Sequence, residues 1–173
     1  MISSADFRRI TTLIFDIDGT LTDGRIGWGA ADEPVKFFDA HDTHWLKLAM
    51  RAGLKVGVLS GLDDAANRRL VRELHLSFAV LGVKDKLAAF TALLREEGLT
   101  AEECLYAGDD VVDMPILRRV GVGAIVADAA PELAEVASWR TRAAGGRGAA
   151  MEIVRVVLKE KGSLDSIMER YRR

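Results

Sequence analysis

The sequence predicts an α/β protein, doubly wound in three layers around a parallel sheet. Three observations carry that expectation. Short apolar runs without helical spacing alternate with amphipathic stretches of roughly 10 to 15 residues. Amphipathic stretches stop at Gly53 and Gly98, as helices commonly do before the chain returns to a sheet. Acidic and phosphate-binding residue types follow the apolar runs, and doubly wound sheets place their sites at strand carboxyl ends.

Residues 11–17 form the first predicted strand, since Leu13, Ile14, Phe15 and Ile17 lack helical spacing and a Gly-Thr turn follows. Residues 22–38 break the rhythm. They carry Gly24, Gly27 and Gly29, with apolar pieces too short for a crossover helix, and are expected to form a hairpin flap packed around Trp28. A helix over 43–52 follows, with Trp45, Leu48, Ala49 and Ala52 on one face, then a strand over 54–60. The alternation continues with a helix over 63–75, a strand over 78–81, a helix over 85–97 and a strand over 104–107. A short helix over 115–119, a strand over 122–126 and a helix opened by Pro131 come next, with Trp139 in the core. A Gly-rich loop from Gly145 leads to a helix over 148–161 and a second one started by Ser163.

At 173 residues, 49% hydrophobic and 29% charged, the chain is expected to form one domain over 1–173 with a sizeable core, with 22–38 as its flap and 145–173 as its tail. Twenty-four basic and 26 acidic residues give a net charge of -2, too little positive field for a nucleic-acid partner or an anionic membrane. The lone Cys104 fits a reducing compartment. No apolar run approaches the ~20 residues of a membrane span and the first ten residues hold no signal-like stretch, so a cytoplasmic location is expected.

The chemistry concentrates at the predicted strand ends. Asp16-Ile17-Asp18-Gly19-Thr20 places two carboxylates at the end of an apolar strand, where side chains two apart share a face. Burying such a pair is costly unless a cation or a catalytic need compensates. A second acidic group, Gly108-Asp109-Asp110 with Asp113, ends the 104–107 strand on the same sheet edge. Alone it reads equally as a helix N-cap with first-turn acids. With Asp16 it offers oxygen ligands for a hard cation, and magnesium favours one or two carboxylates, waters and a substrate phosphate. Ser60-Gly61 supplies a hydroxyl and an unencumbered N–H, and Lys86 an ammonium; each alone is an ordinary turn or a solvated charge. Together they make a phosphate site. A carboxylate about 4 Å from a phosphate dianion meets two repulsions of about 4 kcal/mol each at an effective dielectric of 20, so cations are required before the carboxylate can attack phosphorus.

In order and spacing, Asp16-x-Asp18-Gly19-Thr20, Ser60, Lys86 and Gly108-Asp109-x-x-x-Asp113 resemble the motifs of haloacid dehalogenase superfamily phosphatases. The small insert, Leu21-Thr22-Asp23-Gly24 and Ala144-Gly145-Gly146-Arg147-Gly148 further resemble the 3-deoxy-D-manno-octulosonate 8-phosphate phosphatases. The resemblance implies a Rossmann-like sheet with the hairpin flap in place of a cap domain. It also implies an Asp16 nucleophile, with Asp18 as acid and then base, and Mg2+ held by Asp16, the Asp18 carbonyl and Asp109. Asp110 and Asp113 would orient ligands or waters, and Ser60, Gly61 and Lys86 would grip the phosphate. It further implies a homotetramer, and a small phosphorylated sugar acid as substrate.

Two departures bear on that substrate. The octulosonate phosphatases carry Arg-Asp-Gly-x-Gly after the hairpin, where this chain has His41-Asp42-Thr43-His44-Trp45, and Thr-Gly-Arg where it has Ser60-Gly61-Leu62. Arginine is the natural bidentate partner of a carboxylate. Thr20, His41, Leu62 and Arg147 are therefore the candidate substrate contacts, with Arg147 or Arg142 in place of the missing guanidinium groups. A nonulosonate 9-phosphate phosphatase and a catalytically silent scaffold are the alternatives. The intact set Asp16, Asp18, Lys86 and Asp109 argues against the second, and the small insert argues against a phosphomutase, whose intermediate needs a lid.

Overall fold

The computed structural model describes residues 3–30 and 33–172 of the chain. Helix α1 (Ser4–Arg9), which hydrophobic periodicity does not single out, is held by a Ser3/Asp6 capping box. Strand β1 (Thr12–Phe15) is fully buried, and the chain leaves it at Asp16. Within the predicted flap, β2 (Gly27–Trp28) and β3 (Pro34–Val35) pair antiparallel. Trp28 is 71% exposed, so it does not pack the flap as expected. Helix α2 (Ala40–Arg51) starts earlier than the periodicity predicts, because the Asp39 carboxylate caps it by accepting from His41 and Asp42 N–H.

Next come β4 (Lys55–Leu59), α3 (Ala65–Leu74), β5 (Phe78–Val80), α4 (Lys86–Glu97) and β6 (Cys104–Gly108). Asp85 caps α4 as expected, accepting from Ala88 N–H, whereas α3 starts later than the predicted residue 63, its cap being Asp64, which accepts from Asn67 N–H. Helix α5 (Met114–Leu117) and strand β7 (Val122–Ile125) follow. The segment opened by Pro131 is a 3₁₀ turn, Pro131–Glu135, and not the predicted helix. An edge strand β8 (Trp139–Arg140) is too short to show in a hydrophobic pattern. Trp139 is half-buried and meets Phe7 edge-to-face at 5.8 Å. Helices α6 (Ala149–Glu160) and α7 (Leu164–Glu169) complete the described chain.

The main sheet runs β5-β4-β1-β6-β7-β8, with every neighbouring pair parallel. From β1 the chain builds first towards one edge and then towards the other, so the topological switch lies at the carboxyl end of β1. Strand alternation distributes the core. Leu13 and Phe15 of β1 face α2 and α6 on one side, whereas Ile14 faces Phe90 of α4 and Ile116 of α5 on the other. The result is the expected three-layer fold.

Candidate active site

The loops after β1, β4 and β6 and the start of α4 converge at one sheet edge, as their parallel order requires. Lys86, the first residue of α4, places its Nζ 2.9 Å from Asp16 Oδ2 and 2.7 Å from Asp113 Oδ1. All three side chains are buried. Asp109 leans against the β1 loop, where Thr20 Oγ1 donates to its Oδ1 at 3.0 Å. That approach requires Gly19, whose φ is +86° and whose Cβ, if it had one, would overlap the Asp109 carboxylate.

Asp113 has no lone pair to spare. Its Oδ1 accepts from Lys86 Nζ at 2.7 Å and Tyr106 Oη at 2.6 Å, and its Oδ2 accepts from Asp109 N–H at 3.1 Å and Asp110 N–H at 3.3 Å. Carboxylate oxygens of Asp16, Asp109 and Asp113 lie within 4.8 Å of one another, a spacing that suits a cation. Because Asp113 is saturated, the carboxylates of this group with lone pairs to offer a cation are those of Asp16 and Asp109, while Asp113 holds Lys86 and the β6 loop. Asp110 is exposed and caps its own 3₁₀ turn by accepting from Val111 N–H.

The crowding is visible in the proton affinities. Burial, with the Asp16 charge beside it, pushes the Asp109 carboxyl up to about 7. Burial raises Asp16 as well, against the pull of Lys86. Burial would lower Lys86, but Asp16 and Asp113 more than offset it and the ammonium is held above its ordinary range. Tyr106 is driven well up by burial and by Asp113, so it stays a phenol and donates.

Asp18 is engaged elsewhere. Its Oδ1 lies 2.6 Å from Nζ of Lys36, at the end of the flap. Lys36 also pairs with Asp64 Oδ2 at 2.7 Å and donates to Asn67 Oδ1 at 3.0 Å. Asn67 Nδ2 donates to the Leu62 carbonyl at 3.1 Å and reaches Ser60 Oγ at 3.5 Å. Ser60 Oγ also accepts from Leu62 N–H at 3.2 Å, which leaves its O–H free to donate to a ligand. Lys36, Asp64, Asn67 and Tyr106 are absent from the sequence-based site. The available signal for Lys36 is its place between Val35 and Phe37 just after β3, where alternation puts it opposite those two apolar residues.

The Gly-rich loop closes the site from behind. A Cβ at Gly145 would overlap the Gly19 carbonyl oxygen, so the loop packs directly on the Asp16–Thr20 backbone. Asp42 fixes the far end of that loop by accepting from Gly148 N–H at 3.1 Å and Met151 N–H at 2.7 Å. Arg147 pairs with Asp23 at 3.4 Å and, with Arg25 and Asp39, lines a cavity of about 580 Å³ between loop and flap. Arg142 does not line it. Leu62 is 45% exposed, and the His41 side chain points largely into solvent beside Asp39.

Comparison with known proteins gives the chain its family. The haloacid dehalogenase-like hydrolase family pattern matches residues 82–153. A 3-deoxy-D-manno-octulosonate 8-phosphate phosphatase of Escherichia coli K12, KdsC, is 35% identical over 93% of this chain and 86% of its own. The chain belongs to the octulosonate phosphatase family of haloacid dehalogenase-like hydrolases. Among solved structures, the Moraxella catarrhalis octulosonate 8-phosphate phosphatase, in complex with magnesium, phosphate and the free sugar acid, superposes with a TM-score of 0.94 at 27% identity, covering 97% of both chains. The cobalt-bound Haemophilus influenzae enzyme superposes at 0.88 with 34% identity, covering 92% of this chain and 93% of that one.

For a hydrolase of this family, the residues present suit a hard divalent cation. The donors are carboxylate oxygens gathered within 4.8 Å of one another, with Lys86 as the ammonium among them. A carboxyl raised from 3.8 to about 7 keeps a proton in the fold that the unfolded chain has lost, so its stabilisation is present at low pH and fades as pH rises through 7. Asp16 and Asp42 shift in the same direction. With chelator present, the melting temperature is expected to fall by several degrees between about pH 5.5 and 7.5. The rise on adding magnesium should grow over the same interval, because the cation displaces those protons. A magnesium shift independent of pH in differential scanning fluorimetry would contradict this assignment.

Proposed function

We propose that the protein is a phosphatase that hydrolyses 3-deoxy-D-manno-octulosonate 8-phosphate to the free sugar acid and phosphate. The observation that carries the reading is the convergence of Asp16, Asp18, Ser60, Lys86 and Asp109 at the switch point of a chain in this family. Asp16, Asp109 and the Asp18 carbonyl would hold magnesium, which would supply positive charge to offset that of the carboxylates and the phosphate. Ser60 O–H, Gly61 N–H and Lys86 hold the phosphate oxygens. The Asp16 carboxylate attacks phosphorus, and the ester oxygen departs with a proton from the Asp18 carboxyl. Asp18, now a carboxylate, takes a proton from the water that opens the aspartyl-phosphate.

Leu62 and His41 leave this chain without the two guanidinium groups that the family resemblance would place near the acid end of the substrate. Arg147 and Arg25, both lining the cavity between flap and loop, supply cations for it. Phosphate release from octulosonate 8-phosphate, set against neutral sugar phosphates, tests both claims. The acid substrate should be preferred, and Arg147→Ala should reduce that preference about tenfold to a hundredfold, the worth of one charge-assisted hydrogen bond. Inactivity on sugar acids beside rapid turnover of another phosphomonoester would keep the chemistry and overturn the substrate.

Self-association to a homotetramer is also proposed. Trp28 and Phe37, 71% and 75% exposed, give the flap an apolar surface suited to burial against another copy. Light scattering at micromolar concentration would read a protomer mass if this is wrong. No helix among the described residues is long and apolar enough to cross a membrane, which is compatible with the proposed cytoplasmic site of action.

A further inference from the structure

The flap delivers one buried charge to the site. Val35 and Phe37 turn outward, 39% and 75% exposed, while the Lys36 side chain between them is wholly buried. Its ammonium joins two loops: the one after β1 through Asp18, and the β4–α3 loop through Asp64 and through Asn67 in the first turn of α3, which reaches back to Ser60 and Leu62. Asp18 Oδ1 is sealed from solvent and accepts no aligned hydrogen bond, so its engagement is the 2.6 Å ion contact with Lys36. The Asp18 side chain is nevertheless 22% exposed, which leaves Oδ2 as the oxygen a leaving group or water can reach.

We infer that Lys36 is a positioning residue for proton transfer to the leaving group. Resting on the reading of Asp18 as general acid, it makes the flap part of the catalytic machinery as well as a wall of the cleft. By clamping Oδ1, Lys36 fixes the rotation of the Asp18 carboxyl and assigns the proton to Oδ2. Asp64 and Asn67 hold Lys36 in turn, and share its charge so that it is not spent wholly on Asp18. In the step concerned, a bond forms between the Asp16 carboxylate and phosphorus, the ester P–O bond breaks, and its electron pair stays on the departing oxygen. That oxygen takes the proton from Asp18 Oδ2.

Leaving-group dependence reads this role directly. A nitrophenolate departs without a proton, whereas the alkoxide of a sugar phosphate does not, and kcat/KM covers only the steps through aspartyl-phosphate formation. Lys36→Met is expected to lower kcat/KM about 100-fold on a sugar phosphate, and at least ten times less on p-nitrophenyl phosphate. Asp64→Asn, which keeps the helix cap, should give the same pattern at about tenfold on the sugar phosphate. It decides the matter if Lys36→Met does not fold. Equal losses on the two substrates, in whichever variant folds, would overturn the positioning role. Asp18→Asn serves as the reference. If it too lost equally on both substrates, the general-acid assignment itself would fail and the role of Lys36 with it. Selective loss in Asp18→Asn without selective loss in the Lys36 and Asp64 variants would condemn this inference alone.

Discussion

Asp16→Asn is expected to lose about 10⁴-fold or more of phosphatase turnover while remaining folded. In the proposed mechanism the amide oxygen is a poor nucleophile and only a neutral donor to a cation, so the variant would lose the covalent step and the charge of one metal ligand together. Stability should move the other way. Burial penalises the Asp16 charge, and Asp109 and Asp113 crowd it, so a neutral side chain of the same shape relieves repulsion. Lys86 is not orphaned by the change, since Asp113 still pairs with it at 2.7 Å. A melting temperature at least equal to that of the unsubstituted protein, measured with phosphate release at pH 7.5, is therefore the expected result. Turnover within about tenfold of the unsubstituted protein would remove the aspartyl-phosphate pathway.

Much of this site is written in short stretches of the chain. Leu13, Ile14 and Phe15 mark a buried strand because they run together without helical spacing, and Asp16 and Asp18 follow at once. The same logic finds Asp109 after β6 and Lys86 at the head of α4. Strand order escapes such local reasoning, for nothing near Thr12 says that Lys55 and Cys104 will flank it. Lys36 escapes for a related reason. Its partners Asp18 and Asp64 lie on either side of it in sequence, and meet it only after the flap has folded back over the sheet edge. Asp42, within the His-Asp-Thr-His run, has the character of a site residue in sequence. In the fold it is a buried cap on α6, with its carboxyl raised by that burial. The segment at Pro131 carries a helix-opening signal but winds only a 3₁₀ turn before Trp139 joins the sheet edge.

Asp113→Ala is the second large effect, and it separates a ligand from a support. Four donors converge on that carboxylate: the Lys86 ammonium, the Tyr106 hydroxyl and the N–H groups of Asp109 and Asp110. Breaking one side of a buried pair costs about 3–5 kcal/mol, because the remaining groups stay buried without partners. Removing a negative charge near Asp16 and Asp109 returns part of this, since Asp113 contributes to the rise of both carboxyls. The loss of four hydrogen bonds should outweigh that relief. A fall of roughly 5–15 °C in melting temperature is expected for a chain of this size, whether or not magnesium is present. Activity should fall with it, as Lys86 and the Asp109 backbone lose their common anchor. A metal ligand would behave otherwise. Its removal leaves the chelated protein as stable as before, or more stable, and raises the magnesium needed for half-maximal rate. Chelator melting curves of Asp113→Ala beside Asp109→Ala decide between the two roles: the first should melt early in chelator, and the second should not. An Asp113→Ala protein that melts normally in chelator but demands more magnesium would make Asp113 a third carboxylate ligand instead.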